Sequence, residues 1–161
     1  MQVKYKDIII DVKKGTKVNE LLKKYIEEDD LKPIACRFNN EVKRLDMPIE
    51  TDGEIELIDI TNKDGMRVYR RGLIFIVCMA FKELFPEAKL AIGPSIENGF
   101  YYDFDVEKPF SEEDLAKIEE EMKKIIKEDL ELERFELPRE EALKLMEEKG
   151  EPYKVELIND L

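Results

Sequence analysis

Three consecutive aromatics, Phe100, Tyr101 and Tyr102, stand beside Asp103 and Asp105, downstream of two turn signals, Gly93-Pro94 and Asn98-Gly99. Phenols and carboxylates offer hydrogen-bond donors and acceptors on an apolar lining, which is the make-up of a pocket for a small polar ligand. The plainer alternative is a hairpin whose aromatics fill a core. Asn98-Gly99 can reverse the chain, because Asn and Gly take positive φ at little steric cost, and Phe100 to Val106 then run as a strand. A second group is basic. Arg67, Arg70 and Arg71 fall near the start of a predicted helix inside 61–90, the stretch that carries the chain's positive excess. Guanidinium groups at that spacing can contact neighbouring phosphates of an RNA, or pair with carboxylates such as Asp64 or Glu97.

What the chain lacks constrains function as much. It contains no histidine, so the commonest general base and the usual partner of a nucleophilic Ser or Cys are missing. Cys36 and Cys78 lie far apart in apolar segments, and without histidine they offer no zinc spacing, so no metal site is expected. No Gly-x-x-x-x-Gly-Lys-Ser/Thr occurs, which removes phosphoryl transfer by this chain. The net charge of −12 opposes non-specific nucleic-acid binding over the whole surface. The apolar run Leu73 to Phe81 is about half of the roughly 20 residues that a bilayer span needs. The N-terminus alternates like a strand and has no signal-peptide core, so no membrane partner and a cytoplasmic location are expected.

The elements that must position these residues follow from periodicity. Val3 and Tyr5, then Ile8, Ile10 and Val12, alternate around Lys6-Asp7 as a hairpin. Gly15-Thr16 ends it and caps a helix to Glu28, with Val18, Leu21, Leu22, Tyr25 and Ile26 on one face. Strands follow at Pro33 to Phe38, after the Asn39-Asn40 turn, and after Asp52-Gly53 through Ile55, Leu57 and Ile60. The polar, turn-rich Thr61 to Gly65 marks a domain boundary. Arg67 to Phe85 is too long for a strand and reads as a buried helix, apolar nearly all round, that ends at Pro86.

Ser111 and Asp114 form a capping box, with Phe110 and Leu115 as its hydrophobic staple. The helix they start runs to Glu128 and buries Leu115, Ile118, Met122, Ile125 and Ile126. Leu130, Leu132, Phe135 and Leu137 alternate with a slip at Glu133-Arg134, the mark of a bulged strand. Pro138 opens a short helix to Lys149 as a first-turn residue, and Tyr153, Val155 and Leu157 predict a last strand. The whole is of the α+β class.

The string Ile92-Gly93-Pro94-Ser95-Ile96-Glu97-Asn98-Gly99-Phe100-Tyr101-Tyr102-Asp103-Phe104 resembles a segment of the editing domain of the threonyl-tRNA synthetases. The resemblance extends back to Met1 and forward through Gly150-Glu151-Pro152-Tyr153-Lys154-Val155, so it covers essentially the whole chain. It implies a TGS-like β-grasp domain over 1–61 and an editing-like α+β sandwich, incomplete, over 62–161. The family's editing helix carries His-x-x-x-His, and a later Cys-x-x-x-His completes the site. Counted back from Lys82-Glu83-Leu84-Phe85-Pro86, the two histidine positions fall on Arg71 and Phe75. Neither does an imidazole's work, since Arg stays protonated and Phe has no polar atom. The chain reaches Leu161 before the Cys-x-x-x-His region begins. Tyr101, Tyr102, Asp103 and Lys154 stand where the family motif has them, and the resemblance implies a ligand pocket there.

Asp64 to Arg71 also resembles a segment of bacterial uridine kinase-like proteins, in which a synthetase-like region without His-x-x-x-His precedes a nucleoside kinase. The primary expectation is therefore a non-catalytic regulatory or RNA-binding module ahead of such a kinase. The C-terminal catalytic domain of that parent would bring ATP and Mg, and the present chain would hold no cofactor. The alternatives are the N-terminal part of a threonyl-tRNA synthetase with a degenerate editing site, and a freestanding binding protein.

Overall fold

The computed structural model describes residues 1–161 apart from 92, 94, 97 and 98. The chain divides into two compact units, Met1–Leu73 and Ile74–Leu161. The expected turns at Gly93-Pro94 and Asn98-Gly99 include Pro94 and Asn98, which lie outside the described residues.

In the first unit β1 (Gln2–Tyr5) and β2 (Ile8–Asp11) form the expected hairpin, with Tyr5 opposite Ile8 and Lys6 at φ 54° in its two-residue turn. Two short helices follow, α1 (Val18–Leu21) and α2 (Lys23–Glu28), interrupted at Leu22. Thr16 does not cap them. Lys17 takes the N-cap position without a side-chain bond, and the Thr16 carbonyl accepts from the Ile49 amide instead (2.9 Å). Next come β3 (Ala35–Phe38), β4 (Glu41–Lys43) and β5 (Gly53–Ile58). Asn39 and Asn40, at φ 48° and 71°, make the two-residue reversal between β3 and β4, the left-handed pair that matches strand twist.

The mixed sheet has the order β2-β1-β5-β3-β4, with β1 and β5 parallel and the other pairs antiparallel. Val18 and Leu22 of the helical segment pack on Val3, Tyr5, Cys36, Phe38 and Ile55 in one core. Two strands, a helix and three strands around such a sheet are the β-grasp arrangement, and the α+β class is as expected.

The polar segment 61–65 is the entry to α3 (Lys63–Leu84). Asn62 caps it, its side-chain oxygen accepting from the Asp64 amide at 2.9 Å. The division between the two units falls within this helix, after Leu73. α3 is not buried all round. Ala80 and Phe81 are fully covered, whereas Tyr69 is 53% and Phe75 58% exposed. Each unit is too small to enclose a 22-residue helix, so only the face turned to its core is covered.

The second unit holds two two-stranded ladders, β6 (Lys89–Leu90) with β9 (Phe104–Asp105) and β7 (Ser95–Ile96) with β8 (Gly99–Phe100). The expected continuous strand from Phe100 to Val106 is thus broken at 101–103. α4 (Glu112–Glu128) starts with the full Ser111–Asp114 capping box. Its staple is absent. Phe110 packs instead on Phe81 (5.0 Å between ring centroids), Phe85 (5.1 Å) and Phe104 (5.8 Å), and Leu115 stays exposed. An edge-on aromatic cluster offers Phe110 more contact than one leucine would. α4 buries Ile118 and Ile125 and half-buries Met122, while Ile126 faces outward.

Two expected strands are not found. Residues 130–137 have no ladder partner among the described residues, and Leu132 and Phe135 are 62% and 63% exposed. Alternation alone cannot make a strand without a neighbour to bond. The last strand is instead a helix, α6 (Pro152–Asp160), which follows α5 (Arg139–Glu148). Pro152 is pre-set for the first helical turn, and the Arg139 guanidinium donates to the Asn159 carbonyl near its end (2.9 Å). Pro138 stands one position earlier than expected, as the N-cap of α5.

Two glycines of α3 give opposite expectations. A Cβ on Gly65 would strike the Asp59 carbonyl, whereas one on Gly72 meets nothing within 4 Å. Gly65→Ala is expected to cost roughly 1–3 kcal/mol by overpacking, and Gly72→Ala to stabilise by roughly 0.5–1 kcal/mol. Denaturant unfolding of the two variants checks both signs. At α4, the Ser111 backbone and side chain, then Lys117, hold the Asp114 carboxyl at about 2, below its ordinary 3.8. The box therefore contributes its full stability above the ordinary value and loses it as pH falls toward 2. Asp114→Asn is expected to flatten that acid limb in pH-dependent melts.

Candidate functional site

Gly150 controls the geometry of the second unit's charged cluster. At φ 66° it ends α5 in a left-handed turn, with its own amide bonded to the Glu147 carbonyl (3.0 Å) and the Glu151 amide to the Met146 carbonyl (3.0 Å). This is the Schellman pattern, in which glycine avoids the Cβ clash of a left-handed residue. The reversal places Glu151 at the head of α6, 6% exposed, as the buried charged residue among those described. Lys82 of α3 donates directly to its carboxylate, and the Lys154 ammonium lies 3.4 Å from it. A buried carboxylate is tolerated only when paired in this way.

Around this ion group sit Cys78 and Tyr102. Burial pushes the Cys78 thiol up, opposed by Lys154 and then Lys82. Burial also raises the Tyr102 phenol, with Cys78 adding to the effect. Lys82 is pushed down by burial first and then by Lys154 and Lys149, with Cys78 working in the opposite direction. At neutral pH the cluster therefore presents a protonated thiol, a protonated phenol and a carboxylate saturated by ammonium groups. None of these is poised to take a proton from water.

The sequence-derived pocket residues divide. Tyr102 and Lys154 both lie within electrostatic reach of Cys78. Tyr101 and Asp103 do not join them, because alternation along 101–103 turns both outward. Asp103 serves through its backbone, its carbonyl accepting from the Ala91 amide at 2.9 Å. A Cβ at Gly93 would collide with the Tyr101 carbonyl and the Tyr102 ring, so glycine lets the chain pass against them. Tyr153 donates to Asp105 at 3.2 Å and ties α6 to β9. Phe75, one of the two positions matched to histidine, is an exposed ring one turn before Met79.

Cys78, Lys82 and Glu151 were not singled out from the sequence. Glu151 lies within the Gly150–Val155 motif, and a lone carboxylate next to a helix-starting proline was the available signal.

In the first unit, Arg67 and Arg71 stand one turn apart on α3 and line a cleft with Lys43 and Arg44, whereas Arg70 does not line it. Arg67 lies 3.3 Å from Asp64, which also holds Arg37 at 3.1 Å.

No family model matches the chain. Comparison with curated proteins gives a consistent result. The chain is 63% identical over 128 residues to a threonine-tRNA ligase of Acetivibrio thermocellus, covering 80% of this chain and 20% of the relative. It is 49% identical over 153 residues to that of Clostridium tetani, covering 95% and 24%, and 59% identical over 128 residues to that of Clostridioides difficile, covering 80% and 20%. The chain thus spans about a fifth to a quarter of the length of these relatives. The expected kinase fusion has no support in these matches. The homologues of this chain are threonine-tRNA ligases, and the stretch they share with it is their N-terminal region.

Proposed function

We propose that this chain is the N-terminal, tRNA-handling region of a threonine-tRNA ligase, with an editing pocket that no longer hydrolyses esters. The parent would aminoacylate tRNA through a catalytic domain outside this chain. Within it, a β-grasp domain over 1–61 would serve as a docking module and the region 62–161 as the editing-like domain. One observation carries the loss of hydrolysis. Burial raises the Cys78 thiol and the Tyr102 phenol, the Glu151 carboxylate is paired with Lys82 and Lys154, and the chain has no imidazole to face them.

Ester hydrolysis needs a group that orients and deprotonates water near pH 7. Arg71 has no acid-base chemistry there and Phe75 no polar atom. What remains is a binding surface. Tyr102 and Lys154 can still hydrogen-bond a small polar ligand or a tRNA end, with Lys154 held in place by Glu151 at 3.4 Å.

The purified chain is expected to release amino acid from mischarged threonine tRNA no faster than buffer does. Acceleration that survives Lys154→Ala would place hydrolysis elsewhere in the chain, and acceleration abolished by it would show that this cluster is catalytic. Either result sinks the proposal. Stability supplies an independent check on the cluster. Glu151→Ala leaves Lys82 and Lys154 facing each other without a counter-ion, and removing one member of a buried pair typically costs about 3–5 kcal/mol. The half-exposed Lys82 lowers that, so a loss of about 2 kcal/mol is expected in denaturant unfolding, and Lys154→Ala should cost less.

A further inference from the structure

The sheet of the first unit has two outer strands, β4 and β2, and they are protected very differently. β4 is three residues long and carries Glu41 and Lys43 in an ion pair at 2.5 Å. Shortness and charge are the usual means of keeping a sheet edge from pairing with another chain. β2 instead reads Ile8-Ile9-Ile10-Asp11, with Ile8 40% and Ile9 69% exposed. No strand among the described residues bonds its outer side.

The hairpin fixes which backbone groups face outward. Met1 and Val12 exchange bonds, the Val12 amide donating to the Met1 carbonyl (2.9 Å) and the Met1 amino group to the Val12 carbonyl (3.2 Å). Bonded and non-bonded pairs alternate along an antiparallel ladder, so Val3 with Ile10 and Tyr5 with Ile8 are bonded as well. The amides and carbonyls of Ile9 and Asp11 therefore point away from β1. Opposite charges stand at the two ends of this open edge, Asp7 before β2 and Lys13 after it. Neither side chain has a hydrogen bond or ion pair among the described residues, and both residues are exposed.

A two-fold axis through an antiparallel pair keeps each residue on its own sheet face, so only every second register is open to another copy. With Ile10 opposite itself, Ile9 lies opposite Asp11 and can exchange both outward bonds with it. Ile8 then lies opposite Val12, which carries the core-facing row across the axis, and Asp7 lies opposite Lys13. Beyond them Lys6 and Lys14 are held elsewhere, over the Tyr5 ring and by Glu50. Centring on Ile9 would set Asp7 against Asp11, and centring on Asp11 would oppose two aspartates. The strand is thus complementary to itself, which selects a second copy over an unrelated chain.

We infer that β2 pairs antiparallel with β2 of a second copy of this chain, joining two five-stranded sheets across a two-fold axis with Asp7 of each copy against Lys13 of the other. A four-residue edge buries less than the roughly 1,200 Å² at which stable interfaces begin, so the dimer is weak and reversible. It uses no residue of the second unit's charged cluster and stands apart from the tRNA-handling reading.

The test is analytical ultracentrifugation of the full chain from about 5 to about 500 µM, since the average mass of a reversible dimer rises with concentration. Asp7→Lys and Lys13→Asp each set like charges against one another in both pairs, and each is expected to weaken association about tenfold. An equimolar mixture of these two variants brings opposite charges back to both pairs and should associate as the wild type does. The double variant Asp7→Lys, Lys13→Asp should do the same. Leu132→Ser, in the second unit, should leave association unchanged, and thermal melts confirm that each variant is folded. A wild type that stays monomeric throughout overturns the inference. Association that the single charge variants leave unchanged, or that Leu132→Ser abolishes, also overturns it, because another surface then joins the copies. Single variants that weaken association and do not regain it on mixing overturn the two-fold register.

Discussion

Burying the Glu151 carboxylate is the constraint around which the second unit is arranged. A charge at 6% exposure must be neutralised where it lies, so α3 has to bring Lys82 to it and α6 has to bring Lys154. Those requirements fix the register of three helices. α5 must end where it does, because Gly150 alone among neighbouring residues adopts φ 66° without strain and so turns Glu151 inward. α6 must begin at Pro152, so that Lys154 falls within its first turn. Cys78 and Tyr102 then share the remaining space beside the ammonium groups, and their own protons are held in place by burial. The site's chemistry is thus a by-product of how one carboxylate is satisfied.

The apolar part of the unit is organised separately. Phe81 stacks on Phe104 at 4.0 Å between ring centroids, Phe110 meets both edge-on, and Phe85 packs edge-on against Phe110 and tilted against Phe81. This quartet joins α3, β9 and the approach to α4, and Ile118 and Ile125 complete it from α4. Offset and edge-on rings contribute about 0.5–1.5 kcal/mol per pair beyond their buried area. Phe104, expected within a strand from Phe100 to Val106, belongs to this core, whereas Tyr101 and Asp103 face outward. Of the alternatives weighed for that stretch, the core is seen at Phe104, which packs on Phe81 and Phe110.

The first unit was legible almost throughout, because each of its signals is local. Two-residue turns at Lys6-Asp7 and Asn39-Asn40 set the registers Tyr5 to Ile8 and Phe38 to Glu41, and the alternation of the strands needs only the face they share. The second unit was less so. Leu130 to Leu137 alternate as a strand would, but a strand is a relation between two segments and the sequence of one cannot supply the other. Tyr153, Val155 and Leu157 also alternate, and there the fixed backbone of Pro152 at the first helical turn outweighs the pattern. The site was legible only in part. Lys154 and Tyr102 came from motif resemblance, while Lys82, Cys78 and Glu151 became visible once three helices were placed, since their meaning lies in a contact across 69 residues of chain.

Packing also explains why α3 tolerates the residues found at Arg71 and Phe75. The residues that fill the second core are Ala80, Phe81, Ile118 and Ile125, and the two positions matched to histidine are not among them. Phe75 is 58% exposed, and Arg71 rims an open cleft. Substitution at surface positions is usually worth less than about 0.5 kcal/mol, so neither imidazole is needed to hold α3 in place. Stability therefore places little demand on which residue type stands at these two positions. At Arg71 the exposed side chain presents a permanent charge with planar donors to solvent, which the packing of α3 neither requires nor opposes.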